Sequence, residues 1–411
     1  MNISAVGPRF GTTKLAAEVF TIGGSMAVAL AVFFGLLLIA VLPAHAQTEK
    51  VLYSFGSKPD DGISPYVSLV FDEQGTALFG TTLDGGTDGY GTVFELTTAG
   101  EKVLYSFGTG QDDGHYTRAG VVFSPKGTAV YGTNVSGGAN GYGTVYELSA
   151  AGEKVLYSFG SQPGDGLLPY AALVFGKNGS LYGTTLGGGA NNVGTVFELT
   201  PAGKETVLYS FGSQPGDGQS PYAGAVFDAQ GNLYGTTENG GANLEGTVFE
   251  LSAAGKETVL YSFGSQPGDG QSPYAGVVFD KNGNLYGTTP FGGADNLGQG
   301  TVFELTADGA EKVLYSFGSQ PGDGSFPYAG VVFDKNGNLY GATVQGGTDS
   351  LGTVFEFTAA GTEKVLYSFG SHAGDGYYPY AGLVIGKNGT LYGTTVYDGA
   401  HSDGTVFEVI P

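Results

Sequence analysis

The sequence predicts an all-β fold, a seven-bladed β-propeller with four antiparallel strands per blade, and three observations carry that expectation. The motif Tyr-Ser-Phe-Gly begins at Tyr53, Tyr105, Tyr157, Tyr209, Tyr261, Tyr315 and Tyr367, with spacings of 52, 52, 52, 52, 54 and 52 residues, the fixed period of a repeat architecture. Each unit holds four short β-rich segments bounded by Gly, Pro, Asn or Asp, for instance 222–228, 232–237, 246–252 and 258–264. No stretch sustains a helical period. Four strands in about 50 residues match a propeller blade. A β-solenoid is the alternative, but its rungs run to about 20–30 residues and its strands pair between repeats.

Composition narrows the function classes. The 76 glycines among 411 residues, set against 13% aromatic residues, punctuate turns between aromatic strands and do not describe a disordered or collagen-like chain. The formal charge of -22, with lysines scattered along the repeats, argues against a nucleic-acid partner, which needs a basic face. With no cysteine, a disulfide framework, a thiolate nucleophile and a Cys-based zinc site are all excluded.

Residues 1–46 read as a signal peptide. Arg9 and Lys14 precede an apolar run over 22–42, and Ala44 and Ala46 form a small-x-small site that predicts cleavage before Gln47. The apolar run is long enough to span a bilayer, so an uncleaved N-terminal anchor is the alternative. A secreted, extracellular or periplasmic protein is expected, with membrane contact only if this segment is retained. Residues 47–411 are then one propeller, expected as a monomer.

Within a blade, the innermost strand crowds the central axis and should begin on small residues, which Ala-Gly in Tyr-Ala-Gly-Val-Val-Phe supplies. A short hairpin such as Asp280-Lys281-Asn282-Gly283-Asn284 leads to the second strand, with Gly283 free to take positive φ. The Gly-Gly loop leads to the third strand, and a short turn leads to the outer Val-Leu-Tyr-Ser-Phe strand. The first repeat segment, 51–55, is an outer strand, whereas the last, 404–410, is a third strand. Pairing the two would complete the seventh blade and close the ring. The inter-blade loop and the Gly-Gly loop are the long ones, and in an up-and-down blade both emerge on one face of the disc, where function is expected.

The order Leu233 to Thr237, Gly240-Gly241 and Gly246 to Leu251 resembles the GloVer repeat of exported bacterial choice-of-anchor tandem-repeat proteins, and the resemblance runs through all seven units. It implies a bacterial, exported, propeller-like protein. No catalytic role comes with it. The C-terminal sorting segment of such proteins has no counterpart before Pro411, which favours release over surface anchoring.

Candidate binding residues fall in two rings and one exception. Asp61, Asp113, Asp165, Asp217, Asp269, Asp323 and Asp375 each precede a glycine in the inter-blade loop. They could bind cations or sugar hydroxyls, or cap their own turns by accepting backbone N–H groups, and recurrence in every blade favours the cap. Tyr66, Tyr170, Tyr222, Tyr274, Tyr328 and Tyr380 follow five residues on, and could stack on a glycan or pack between blades. The second repeat departs from the pattern. Asp112-Asp113-Gly114-His115-Tyr116-Thr117-Arg118 puts Arg118 where the other units have tyrosine, with Asp112 and His115 beside it. Arg118 could bind or orient an anion, with His115 as a titratable neighbour, or it could pair with ring aspartates or stack on tyrosine.

His372 and His401 lack metal-ligand spacing and read as surface residues. The 280–284 segment lacks the later ligands of a calcium loop. No nucleophile elbow, phosphate loop or dinucleotide fingerprint occurs in a suitable context. No cofactor or metal is therefore expected. The favoured reading is a non-enzymatic exported propeller that binds an extracellular glycan or protein through its loop-rich face. The alternative is a propeller lyase or glycan hydrolase, for which no catalytic set is evident.

Overall fold

The computed structural model describes residues 49–294 and 298–411. The predicted signal peptide and its cleavage site lie outside the described residues. Seven four-stranded antiparallel sheets follow one another along the chain. The fourth blade illustrates their order: Val226–Phe227 innermost, then Leu233–Thr237, Thr247–Leu251 and the outer Glu257–Ser262. The seventh is built from both ends of the repeat region. Val384–Ile385, Leu391–Thr395 and Thr405–Val409 are joined by Glu49–Ser54, which pairs antiparallel with Thr405–Val409, so the ring closes as the sequence predicts.

Hydrophobic burial sits between blades. Each junction has its own core, as where Val196 and Phe211 of the third blade meet Leu233, Phe249 and Leu251 of the fourth. The phenylalanine of every Tyr-Ser-Phe-Gly motif is fully buried. It meets the aromatic side chain of the next blade's third strand edge-to-face, at 5.1 Å between ring centroids for Phe211 and Phe249, the arrangement aromatic quadrupoles prefer. Gly235 is required beneath that ring, because a Cβ there would stand 2.8 Å from Phe249 Cζ.

Two features differ from the sequence expectation. The innermost strand is paired only over its Val-Phe end. The Tyr-Ala-Gly portion leaves the sheet to line the axis, where a Cβ on Gly224 would lie 2.6 Å from the Ala172 carbonyl of the preceding blade. The freed carbonyls find hydroxyl donors across the junction, as in Thr236 Oγ1 donating to Ala275 O at 2.8 Å. In addition, every third-to-outer strand pair carries a bulge: Val196 opposes Tyr209 and Phe197 opposes Val207, which leaves Leu208 unpaired.

Six small two-stranded ladders and the Tyr377–Tyr397 bridge stitch each inter-blade loop to the Gly-Gly loop of the same blade, for example Gly218–Gln219 with Asn239–Gly240. The two long loops of each blade therefore do share a face.

Candidate functional site

The ring aspartates accept hydrogen bonds from their own loop and from the preceding outer strand at every repeat. Asp217 is buried. Its Oδ2 accepts from the Tyr209 hydroxyl at 2.7 Å and the Ser213 N–H at 2.8 Å, its Oδ1 accepts from the Gly218 N–H at 2.8 Å, and its carbonyl accepts from Gly241. Asp61, Asp113, Asp165, Asp269, Asp323 and Asp375 each accept from the equivalent tyrosine and from backbone N–H groups of their own loop. The geometry is that of the turn cap and ties each loop to the preceding outer strand, while Asp165 Oδ1 alone among these oxygens is buried without a partner among the described residues. Asp112 is likewise a turn residue. It is exposed at φ 60°, as Asp60 is at φ 61°, in the left-handed position that glycine fills at Gly164, Gly216, Gly268, Gly322 and Gly374.

The tyrosines form a closed ring around the axis. Tyr170–Tyr222, Tyr222–Tyr274, Tyr274–Tyr328, Tyr328–Tyr380 and Tyr380–Tyr66 stand 4.7–5.5 Å apart between centroids. Arg118 fills the seventh place, its guanidinium 5.2 Å from the Tyr66 centroid and 5.6 Å from that of Tyr170. Of the alternatives for Arg118, stacking on tyrosine is the one adopted, and it makes no ion pair among the described residues. The ring walls a cavity of about 230 Å³ whose floor is the Ala-Gly segments. Burial raises the pKa of Tyr66, Tyr222, Tyr274, Tyr328 and Tyr380, so these phenols remain protonated donors. Tyr274 donates to Glu238 Oε1 at 2.8 Å. Asp84 is raised by burial and partly offset by the Arg118 charge, which places it within electrostatic reach of the guanidinium.

Around this mouth lies a band of backbone strain that sequence reasoning missed. The residue two before each ring position is a non-glycine at positive φ in all seven blades: Ser64, Tyr116, Leu168, Ser220, Ser272, Phe326 and Tyr378, at φ 50–61°. Such a conformation persists only where surroundings over-determine it. Here the N–H donates to the preceding blade's Gly-Gly loop, as Tyr116 to the Tyr90 carbonyl at 2.9 Å, and in six blades the carbonyl accepts from the residue after the second strand, as Tyr116 from the Val135 N–H at 3.0 Å. The side chains so displayed differ from blade to blade. His115 stacks on Tyr90 at 4.0 Å beside exposed Tyr116, while Tyr377, Tyr378 and exposed Tyr397 form a second aromatic group. The only warning in the sequence was that four of these seven positions depart from serine while their neighbours repeat.

A third set was also missed. Glu49, Glu101, Glu153, Glu205, Glu257, Glu311 and Glu363 open the outer strands and face the preceding blade, and each has at least one buried carboxylate oxygen without a hydrogen-bond partner. Burial, then the charge of the ring aspartate across the junction, pushes the pKa of Glu153, Glu205, Glu257, Glu311 and Glu363 up to about 7 and that of Glu49 up to about 8. Glu101 is raised by burial and partly relieved by Lys58, with which it pairs. Gln162, Gln214, Gln266 and Gln320 donate to four of the others, and His372 Nε2 lies 3.4 Å from Glu49. His372 thus sits on the closing strand's glutamate, and both it and His401 are exposed. The Asp280 turn keeps both carboxylate oxygens occupied by Asn282 and Asn284, and no cluster of three metal-ligating side chains occurs among the described residues.

Comparison with known proteins agrees with this geometry. The model of the Gloeobacter/Verrucomicrobia repeat matches residues 38–226 and again 213–407. The chain belongs to this family. No curated protein matches. Among solved structures, the extracellular domain of a proposed hybrid two-component system from B. thetaiotaomicron superposes with a TM-score of 0.56 at 11% identity, over 88% of this chain and 39% of that one. The Gloeobacter/Verrucomicrobia repeat protein therefore spans about two fifths of that structure's length, and the likeness is one of fold. A proposed gluconolactonase gives a TM-score of 0.43 at 12% identity, covering 89% of this chain and 92% of that one. A proposed glucose dehydrogenase from Thermus thermophilus gives 0.42 at 15%, covering 89% and 100%.

Proposed function

We propose that this repeat propeller is an exported, non-enzymatic binding protein that takes an extracellular glycan or protein on its loop-rich face. One observation carries the reading. Seven non-glycine residues are held in left-handed backbone conformation around the mouth by inter-blade hydrogen bonds, three of them serine and four of them Tyr116, Leu168, Phe326 and Tyr378. Strain maintained at a rim of varied side chains is the signature of a surface preorganised for contact. The aromatic groups at Tyr90–His115–Tyr116 and Tyr377–Tyr378–Tyr397 offer flat apolar faces with polar tips, which suit sugar rings and protein anchors alike.

Export rests on the residues 1–46 pattern and on the absence of cysteine, and makes the partner an extracellular one. A glycan array probed with the purified protein, followed by product analysis on each hit, tests the reading. Binding without cleavage is expected. Bond cleavage overturns the non-enzymatic part, and an array without hits overturns the glycan form.

A further inference from the structure

This inference rests on the loop-rich face being a binding surface and specifies what its centre takes. We propose that the mouth seats the carboxylate-bearing end of an acidic saccharide, with Arg118 holding the carboxylate and the tyrosine ring holding the sugar.

Arg118 is the first reason. The protein has a formal charge of -22, yet this exposed guanidinium makes neither an ion pair nor a hydrogen bond among the described residues. Its guanidinium carbon lies 5.2 Å from the Tyr66 centroid and 5.6 Å from that of Tyr170, close enough for cation–π attraction to hold it at the mouth. With neither kind of polar partner, its N–H donors are free for the two-pronged contact that carboxylates accept.

The mouth is also rich in unused donors. Tyr170, Tyr222, Tyr328 and Tyr380 line it, and their hydroxyls make no hydrogen bond among the described residues, so they are free to pair with the hydroxyls of an occupant. Beside the ring, Glu238 accepts from Tyr274, and the Asp84 carboxylate feels the Arg118 charge. Hydroxyls and apolar ring faces within one cup match a polyol with apolar C–H faces. The same two carboxylates repel a ligand of dense negative charge, which selects one anionic group among hydroxyls over a phosphate-rich chain. At about 230 Å³ the cup falls below the roughly 300–1,000 Å³ that encloses a drug-sized ligand. At its base the inner segments of neighbouring blades abut, so it takes one end of a saccharide.

Independent support comes from the blade that supplies Arg118. Thr117 replaces the proline of the other six units, and its hydroxyl is fully buried without a partner. The same blade also holds the orphaned Asn134 amide and Tyr146 hydroxyl. Local rules broken together in the repeat that carries the exposed cation mark a unit kept for something other than stability.

The test measures binding of trigalacturonate and of its methyl ester, which has the same rings without the charge, to the purified protein and to Arg118→Tyr. That variant installs the residue of the six other blades, so it keeps the ring's packing, and an unchanged melting temperature verifies this. Expected is a preference for trigalacturonate of about 10- to 100-fold, the value of a hydrogen bond to a charged group, which weakens with salt and disappears in Arg118→Tyr. Equal affinity for the two probes, or a preference that survives in Arg118→Tyr, overturns the proposal. Failure of both probes overturns it as well, while hits on the array would still support the broader reading of the face.

Discussion

Tyr146 shows how one atom can oppose the repeat it belongs to. The six other blades carry phenylalanine at this place in the third strand, and here the hydroxyl is fully buried without a hydrogen-bond partner. An unpaired buried hydroxyl costs about 1–3 kcal/mol. Tyr146→Phe should therefore raise the denaturant midpoint by the equivalent of about 1 kcal/mol at unchanged slope, and a fall in the midpoint would contradict this account. Much at this scale was readable in the sequence. The tyrosine positions, the aspartates and the exception at Arg118 follow from aligning seven copies. The sequence did not show that Arg118 would lie against both Tyr66 and Tyr170, which belong to neighbouring units about 50 residues away in either direction. The sequence offered stacking on tyrosine as one reading for Arg118, but which of its partners it would meet depends on how neighbouring blades bring their innermost segments together, which spacing along one unit does not contain.

At the scale of the strand, the glutamates that open the outer strands are periodic and plain in the sequence, yet their orientation is not. Counting alternate residues back from Phe211 places Tyr209, Val207 and Glu205 on one face. The unpaired Leu208 resets the alternation, so Glu205 and Val207 face the preceding blade with Leu199 and Phe197, while Tyr209 turns with Val196 to the other side. This burial has a consequence for pH. The folded-state pKa values of these acids lie above the usual 4.5, at about 7 to 8, so the fold favours their protonated form. Their contribution is complete below the unfolded value and is lost as pH rises through the folded values. The melting temperature should accordingly fall between about pH 5.5 and 8.5. The double variant Glu205→Gln/Glu257→Gln should flatten that slope and melt higher at the alkaline end. A slope unaffected by the two substitutions would remove these glutamates as its source.

For the whole molecule, seven copies and an outer strand placed first made the closed ring legible, and the register of Glu49 with Val409 and Ser54 with Thr405 bears it out. The family resemblance led to the same architecture. The ligand was not legible, because the loops that would recognise it are those in which the repeats stop agreeing. Removing residues 47–56 would take the outer strand from the seventh blade. It would also strip Phe55 from the core it shares with Leu69, Phe94 and Val406, and loss of a buried phenylalanine alone costs about 3–5 kcal/mol. The deletion should lower the melting temperature by many degrees in a calorimetric scan, and an unchanged transition would show that the ring does not depend on this strand.

The pairing of Glu49–Ser54 with Thr405–Val409 also sets a timetable for the nascent chain. The seventh blade's outer strand is made before any of that blade's other strands, and it must wait as an unmatched edge through the synthesis of six further repeats. Its partner contacts span almost the entire described sequence, the most distant kind a chain can form and the slowest to find. Blades can condense in turn as they emerge, but the final clasp forms only when the last repeat arrives, so an interrupted or truncated translation product is left as an open arc with two exposed edges and is the species most prone to aggregate.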